Sequence, residues 1–250
     1  MLKRRFEPEP AAARAVAAAR EAVGDRLVGA TLYGSAVGDG FDPAHSDVNV
    51  AFVLSALTPA ELDSLRGVHR EWRKSRITRP LLLTRDGLAR SLDVFPLEYL
   101  LIREHHRTLF GEDSFAGIAI DRSALRQAVE RVLRAQELAL AWTYLALAHT
   151  PSGARHWAAR SGTSIAASAS GLLYLAGDPI PATRSEVASR CAARFGIMAE
   201  EMLLLLDRRP EGRAPVDVKR LLGSAQGILT RLTEAVDAID SEPNPTSRRS

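Results

Sequence analysis

A single cysteine, Cys191, in 250 residues excludes an internal disulfide framework and a cysteine-built zinc site. Set among apolar helix positions, it reads as an inert core thiol. No stretch approaches the roughly 18 consecutive apolar residues of a membrane span. The opening Met1-Leu-Lys-Arg-Arg-Phe-Glu has charges with no apolar run behind them, unlike a signal peptide. These absences predict a cytoplasmic protein with no membrane partner. Charge of one sign is missing too. Lys and Arg number 33 against 30 Asp and Glu, a net of +3, and nearly all the cations are arginine. Divided after Asp121, the first part holds 16 basic against 17 acidic residues and the second 17 against 13. Neither part is a polycation, so a nucleic-acid partner is not indicated. What remains is an ordinary soluble composition, 46% hydrophobic and 25% charged, sufficient for a buried core.

The order of elements divides the chain. Pro8 and Pro10 precede an alanine-rich run, Ala11 to Val23, closed by Gly24, the punctuation of a helix. Leu27 to Tyr33 is short, apolar and partly β-branched, which suits a strand. Gly34-Ser35 turns the chain, and a polar loop leads to a second strand, Asp47 to Leu54. Thr58-Pro-Ala-Glu61 has capping-box spacing and opens a helix to about Ser75. Pro80 to Thr84 reads as a third strand, Thr84 to Arg90 as a short helix, and Asp93 to Ile102 as a fourth extended segment, placed at an edge by Pro96. Beyond Asp121 the spacing is helical: about Ser123–Ala148, Ala154–Gly177, Ser185–Asp207 and Pro215–Asp240, with Pro or Gly at the breaks. Four helices with short connections predict an antiparallel bundle. The expectation is a small mixed-sheet α/β (or α+β) domain over 1–121, an all-α bundle over 122–240, and a disordered polar tail over 241–250.

Chemistry concentrates between Leu32 and Leu54. A glycine at position 34 lets backbone approach a phosphate, and Ser35 offers a hydroxyl and an N–H to a phosphate oxygen. Residues two apart on a strand share a face, so side chains at 47 and 49 are set to act together on divalent cations. The run Leu32-Tyr-Gly-Ser-Ala-Val-Gly-Asp-Gly-Phe-Asp-Pro-Ala-His-Ser-Asp-Val-Asn-Val resembles the signature of the nucleotidyltransferase superfamily, which extends from DNA polymerase beta to the aminoglycoside nucleotidyltransferases. Its motif is an apolar strand, Gly-Ser, about ten residues with another glycine, then Ser-Asp-x-Asp on the next strand. The segment Asp93 to Asp113 is also similar to bacterial nucleotidyltransferase-domain proteins, in which it precedes a helical domain.

The resemblance implies a nucleoside triphosphate held with Mg²⁺ or Mn²⁺, and transfer of a nucleoside monophosphate to a hydroxyl of a small molecule or protein. Gly34, Ser35 and Ser46 would bind nucleotide and Asp47 would ligate metal. Here the second acid is Asn49, an amide that can ligate but brings no charge. A pair of cations at roughly 3.5–4 Å needs carboxylates between them, so the substitution speaks against a two-metal site more than against nucleotide binding. The superfamily's third carboxylate lies on a neighbouring strand, but Pro80 to Thr84 holds none. Glu98, interrupting an apolar run, is the preferred substitute and Asp93 the other. A catalytically impaired protein that keeps the fold as a nucleotide- or partner-binding module is the rival reading. The pattern also leaves room for a homodimer.

Other features have plain readings. Six cations between Arg66 and Arg79, opposed only by Glu71, form a solvated helix face or a triphosphate contact leading into the third strand. His105-His106 on a helix would point about 100° apart and reads as a surface pair. Trp142, Tyr144 and Trp157 are expected in the core rather than stacked on a base. The small-residue run Ser161 to Ser170 is expected to allow close helix packing.

Overall fold

The computed structural model describes residues 6–37, 41–43, 46–147, 150–206 and 217–240; the expected tail 241–250 and part of the glycine loop lie outside them. The chain divides into two compact units, Met1–Ile120 and Asp121–Ser250.

In the first unit, α1 (Pro8–Val23) and β1 (Leu27–Tyr33) are followed by a 3-10 turn (Gly34–Ala36), β2 (Asn49–Leu54), α2 (Pro59–Lys74), β3 (Leu81–Thr84), α3 (Arg85–Arg90), α4 (Pro96–Glu104) and β4 (His106–Gly111). The four strands form one mixed sheet in the order β3-β2-β1-β4. β1 is antiparallel to both its neighbours, and β2 runs parallel to β3.

The pleat assigns each face a core. Ala30, Leu32, Val50, Phe52 and Leu54 pack with α1 and α2. The alanines of α1 (Ala11, Ala12, Ala15 and Ala19) are fully buried, and small side chains let the helix lie close against its neighbours. Trp72 of α2 stacks on Phe52 with ring centroids 5.0 Å apart, and its indole N–H donates to the Ala15 carbonyl at 3.2 Å. The capping box is present: the Thr58 N–H donates to Glu61 Oε2 at 2.9 Å and the Ala60 N–H to Thr58 Oγ1 at 3.3 Å. On the opposite face, Ala51 packs with Leu88 of α3, Tyr99 and Ile102 of α4, and Phe115.

In the first unit one segment, 93–102, departs from the sequence expectation. Asp93 to Ile102 is not an extended segment; most of it belongs to α4. Pro96 sits in the first helical turn, where its missing N–H costs nothing, and Leu97, Leu100 and Tyr99 with Ile102 are buried at helical spacing. The fourth strand is instead His106–Gly111, whose half-exposed pattern suits the sheet edge but hides it from a search for apolar runs.

The second unit contains α5 (Arg122–Leu147), α6 (Pro151–Leu175), α7 (Arg184–Phe195), α8 (Ala199–Leu206) and α9 (Val218–Asp240) among the described residues. The single helix expected over 185–207 is two. Gly196 takes a left-handed conformation (φ 65°) and its N–H donates to the Ala192 carbonyl, ending α7. Cys191 is buried, and burial pushes its thiol up to about 12, as an inert core residue requires. The small-residue run of α6 serves packing: a Cβ on Gly162 would stand 2.5 Å from the Leu205 carbonyl oxygen of α8. Trp142 and Tyr144 do not belong to the core. They are 72% and 43% exposed, and Trp142 shares an outward face of α5 with Leu138 and Leu145; Trp157 is half-buried.

Candidate functional site

β1 ends at Tyr33, and the next three residues form the 3-10 turn that carries Gly34 and Ser35. Gly34 has φ 73°, and a Cβ added there would meet the Asn49 side-chain nitrogen at 2.9 Å. Glycine suits the left-handed backbone, and the tip of the Asn49 amide lies against its open side. Gly34 is exposed and Ser35 partly so, which leaves the turn open to a ligand.

The strand registers bring four chain segments to this end of the sheet. Asn49 pairs with Tyr33 across β1–β2, and His106 pairs with Tyr33 across β1–β4. Paired residues share a face, so Asn49, Tyr33 and His106 form a row. Burial raises the Tyr33 phenol above its ordinary value, keeping it neutral. Asp47, just before β2, is exposed, and the Thr78 hydroxyl reaches it at 3.5 Å. Thr78 and Arg79 occupy the bend before β3 and are both exposed.

The described residues leading into β2 are held by Arg76 and by Ser46. Arg76 follows α2 in a left-handed conformation (φ 58°), uncommon for a residue with a Cβ. Its carbonyl accepts from the Val48 N–H at 3.1 Å. Its guanidinium donates to the Pro43 carbonyl and lies 4.2 Å over the Phe6 ring, which stacks on Phe41. Ser46 is buried; its Oγ accepts from the Asp42 N–H at 3.0 Å and its N–H donates to the Asp42 carbonyl at 2.8 Å. Ser46 thus braces the loop that presents Asp47.

Gly34, Ser35, Asp47 and Asn49 are therefore gathered at one end of the sheet. Glu98 is differently placed from the expectation. It lies on the exposed side of α4, so the premise that it interrupts a buried strand fails; Asp93 is exposed as well. The basic run divides: Arg66, Arg70, Arg73 and Lys74 are a solvated face of α2, Arg76 is a structural clamp, and Arg79 borders the site. Sequence reading overlooked Thr78, Tyr33 and the distinct placement of Arg79. The signal that was available is the end of α2 before position 79.

His106 is not part of a surface pair on a helix. It opens β4, and its side chain is only 12% exposed. Its Nδ1 faces the Ile102 and Arg103 carbonyls at 2.9 and 3.0 Å, and its Nε2 lies 2.9 Å from Asp113 Oδ1. Both nitrogens face oxygen atoms of the protein, so the ring is engaged within the fold. Burial pushes the Asp113 carboxyl up, but the hydrogen bonds from His106 and from the Ala116 and Phe115 N–H groups outweigh it and hold the group below the usual range.

Among the described residues, no group of three or more His, Cys, Asp or Glu side chains is arranged to hold a metal ion. At the mouth of the sheet Asp47 stands beside a neutral Asn49, without a second acid two residues along β2 to share a pair of cations. The described residues do not fit a two-cation centre.

No protein-family model matches the chain, and no curated protein matches it. Among solved structures, the spectinomycin adenyltransferase AAD(9) from Enterococcus faecialis, crystallised with ATP and spectinomycin, superposes with a TM-score of 0.55 at 14% sequence identity, covering 90% of this chain and 97% of that one. No described helix is long and apolar enough to cross a membrane. The mixed sheet, the helices that follow it and this likeness agree that the chain carries a nucleotidyltransferase fold.

Proposed function

We propose that the first unit binds a nucleoside triphosphate at the Gly34–Ser35 turn and that nucleotidyl transfer from it is impaired. The observation that carries this reading is the juxtaposition of an open turn with a single-acid strand entry. Gly34 is exposed with φ 73°, and the Asn49 amide, not a carboxylate, lies against it. Ser35 supplies a hydroxyl and an N–H to a phosphate oxygen. Asp47, exposed two residues before Asn49, offers an acceptor for a hydroxyl or for a cation brought in with the nucleotide. The ATP held by the structural neighbour supports a nucleotide as ligand, and the antibiotic held with it supports a small hydroxyl-bearing acceptor over a nucleic acid.

In the transfer reaction the acceptor oxygen would bond to the α-phosphorus, pyrophosphate would leave, and the hydroxyl proton would pass to a base. Such catalysis consists mostly of positioning and charge neutralisation. An amide in place of a shared carboxylate therefore removes much of it. Incubation with labelled nucleoside triphosphates, Mg²⁺ or Mn²⁺ and a panel of hydroxyl acceptors is expected to show nucleotide binding, with label transfer no greater than that of Asp47→Ala. Asn49→Asp is expected to raise transfer at least ten-fold. Robust wild-type transfer that Asp47→Ala abolishes would replace this reading with that of a working transferase. Loss of all nucleotide binding would remove it.

A further inference from the structure

The site is poor in acids, and it has gained a base. β2 and β3 run parallel with Ala51 level with Leu81 and Phe52 level with Leu82. That pairing begins two residues after Asn49 on one strand and two after Arg79 on the other, and Arg79 lies in the bend between it and the Thr78–Asp47 contact. The resemblance would have a neighbouring strand supply a carboxylate, and the bend that leads into β3 carries a guanidinium instead. Thr78, its immediate neighbour, reaches Asp47 with its hydroxyl at 3.5 Å, so the bend at 78–79 runs alongside the one acid of the pair at 47 and 49.

Arg79 is also available. It is exposed, and no hydrogen bond or ion pair engages it among the described residues. Arg76, three residues earlier, is committed to the Pro43 carbonyl and the Phe6 ring. The four cations on α2 precede the end of the helix at Lys74 and face solvent. Among the described residues of the loop before β2 and the bend before β3, Asp42 and Asp47 are negative, Arg76 and Arg79 positive and Asn49 neutral, so the formal charge is balanced. A strongly acidic cluster repels a triphosphate until divalent cations intervene; a balanced one does not. Arginine also offers a planar donor fork matched to phosphate oxygens.

We propose that Arg79 is the phosphate-neutralising cation of this site, and that nucleoside triphosphate binds here without a divalent metal. This rests on the nucleotide-binding reading above and adds to it the source of the counter-charge.

Isothermal titration of the full chain with ATP, in EDTA and in excess Mg²⁺, tests both. The wild type is expected to bind in EDTA with a Kd within about three-fold of its value in Mg²⁺. Arg79→Gln is expected to weaken binding in EDTA by about 10- to 100-fold, the range for a charge-assisted phosphate contact, with an unchanged melting temperature because the side chain is exposed. Asp47→Asn is expected to tighten binding in EDTA by removing a like charge beside the phosphates. Binding that requires Mg²⁺, or an Arg79→Gln protein that binds ATP in EDTA like the wild type, overturns this inference and leaves the nucleotide reading standing. Absence of ATP binding in both media overturns both.

Discussion

The two ends of β1 use glycine for opposite purposes. At the end away from the site, Gly29 pairs with Gly111 of β4. A Cβ on Gly29 would stand 2.5 Å from the Glu112 carbonyl oxygen, and one on Gly111 only 2.1 Å from that of Val28. Backbone fills the space, and nothing there is left for a ligand. At the other end Gly34 is exposed, and its would-be Cβ meets the tip of the Asn49 side chain, a group that can swing aside. The first end holds two strands together; the second keeps a turn open. Sequence spacing does not separate these uses, because both glycines of positive φ, Gly34 and Gly111, simply follow apolar strand residues.

The contrast is sharpest under substitution. Gly111→Ala combines a left-handed backbone (φ 64°) with an overlap that only strand separation relieves. It is expected to cost about 3 kcal/mol, seen as a fall in Tm of roughly 10 °C by circular dichroism. A Tm within experimental scatter of the wild type would mean that the β1–β4 end is not closed as described.

Gly34→Ala carries a similar backbone strain (φ 73°) but a movable neighbour. It is expected to cost about 1–2 kcal/mol while ATP affinity falls at least ten-fold, because Asn49 is displaced over the turn. If stability fell as far as for Gly111→Ala with ATP binding retained in the folded fraction, the two ends would be equivalent and the site reading would lose its basis.

The smallest effect concerns acid. The folded protein holds Asp113 below its ordinary pKa. Its contribution is therefore complete above the ordinary aspartate range, near pH 4, and is lost as pH falls through the lower folded value. Thermal unfolding between about pH 5 and 2 should show Tm declining, with a shallower decline for Asp113→Asn. Parallel curves for the two proteins would show that the His106–Asp113 contact contributes no measurable pH dependence.

Much of this was legible beforehand. The Thr58 and Glu61 spacing announced the cap that forms, and the alanine run after Pro8 and Pro10 announced α1. The short apolar and β-branched runs on either side of Gly34-Ser35 announced β1, the turn and β2. These features are local: their hydrogen bonds close within a few residues, so spacing alone reveals them. Glu98 and His106 were misread for the complementary reason. Pro96 fits a strand edge or a first helical turn equally well, and only the burial of Leu97, Tyr99, Leu100 and Ile102, with Tyr99 and Ile102 packed in the cluster of Ala51 of the sheet, decides for the helix. His106–Gly111 has no strong apolar pattern because, as an edge strand, it buries little, and pairing with β1 defines it. Trp142 shows the limit of composition: an aromatic at helical spacing looks like core, yet this one faces outward.

By itself, the sequence determined the order of elements in the first unit up to α3, the helical texture of the second, the Gly34-Ser35 turn after β1, and an amide, Asn49, two residues beyond Asp47. Each follows from residue identity and short-range spacing. Tertiary structure alone decided which residues stand beside that turn. The β2–β3 pairing and the Thr78–Asp47 contact bring the bend at 78–79 alongside the start of β2, Arg76 holds Pro43 and Val48, and the helical wind of α4 turns Glu98 outward. Register and packing depend on contacts between residues distant in the chain, and a one-residue slip would reassign every side chain to the other face; no local pattern encodes that choice.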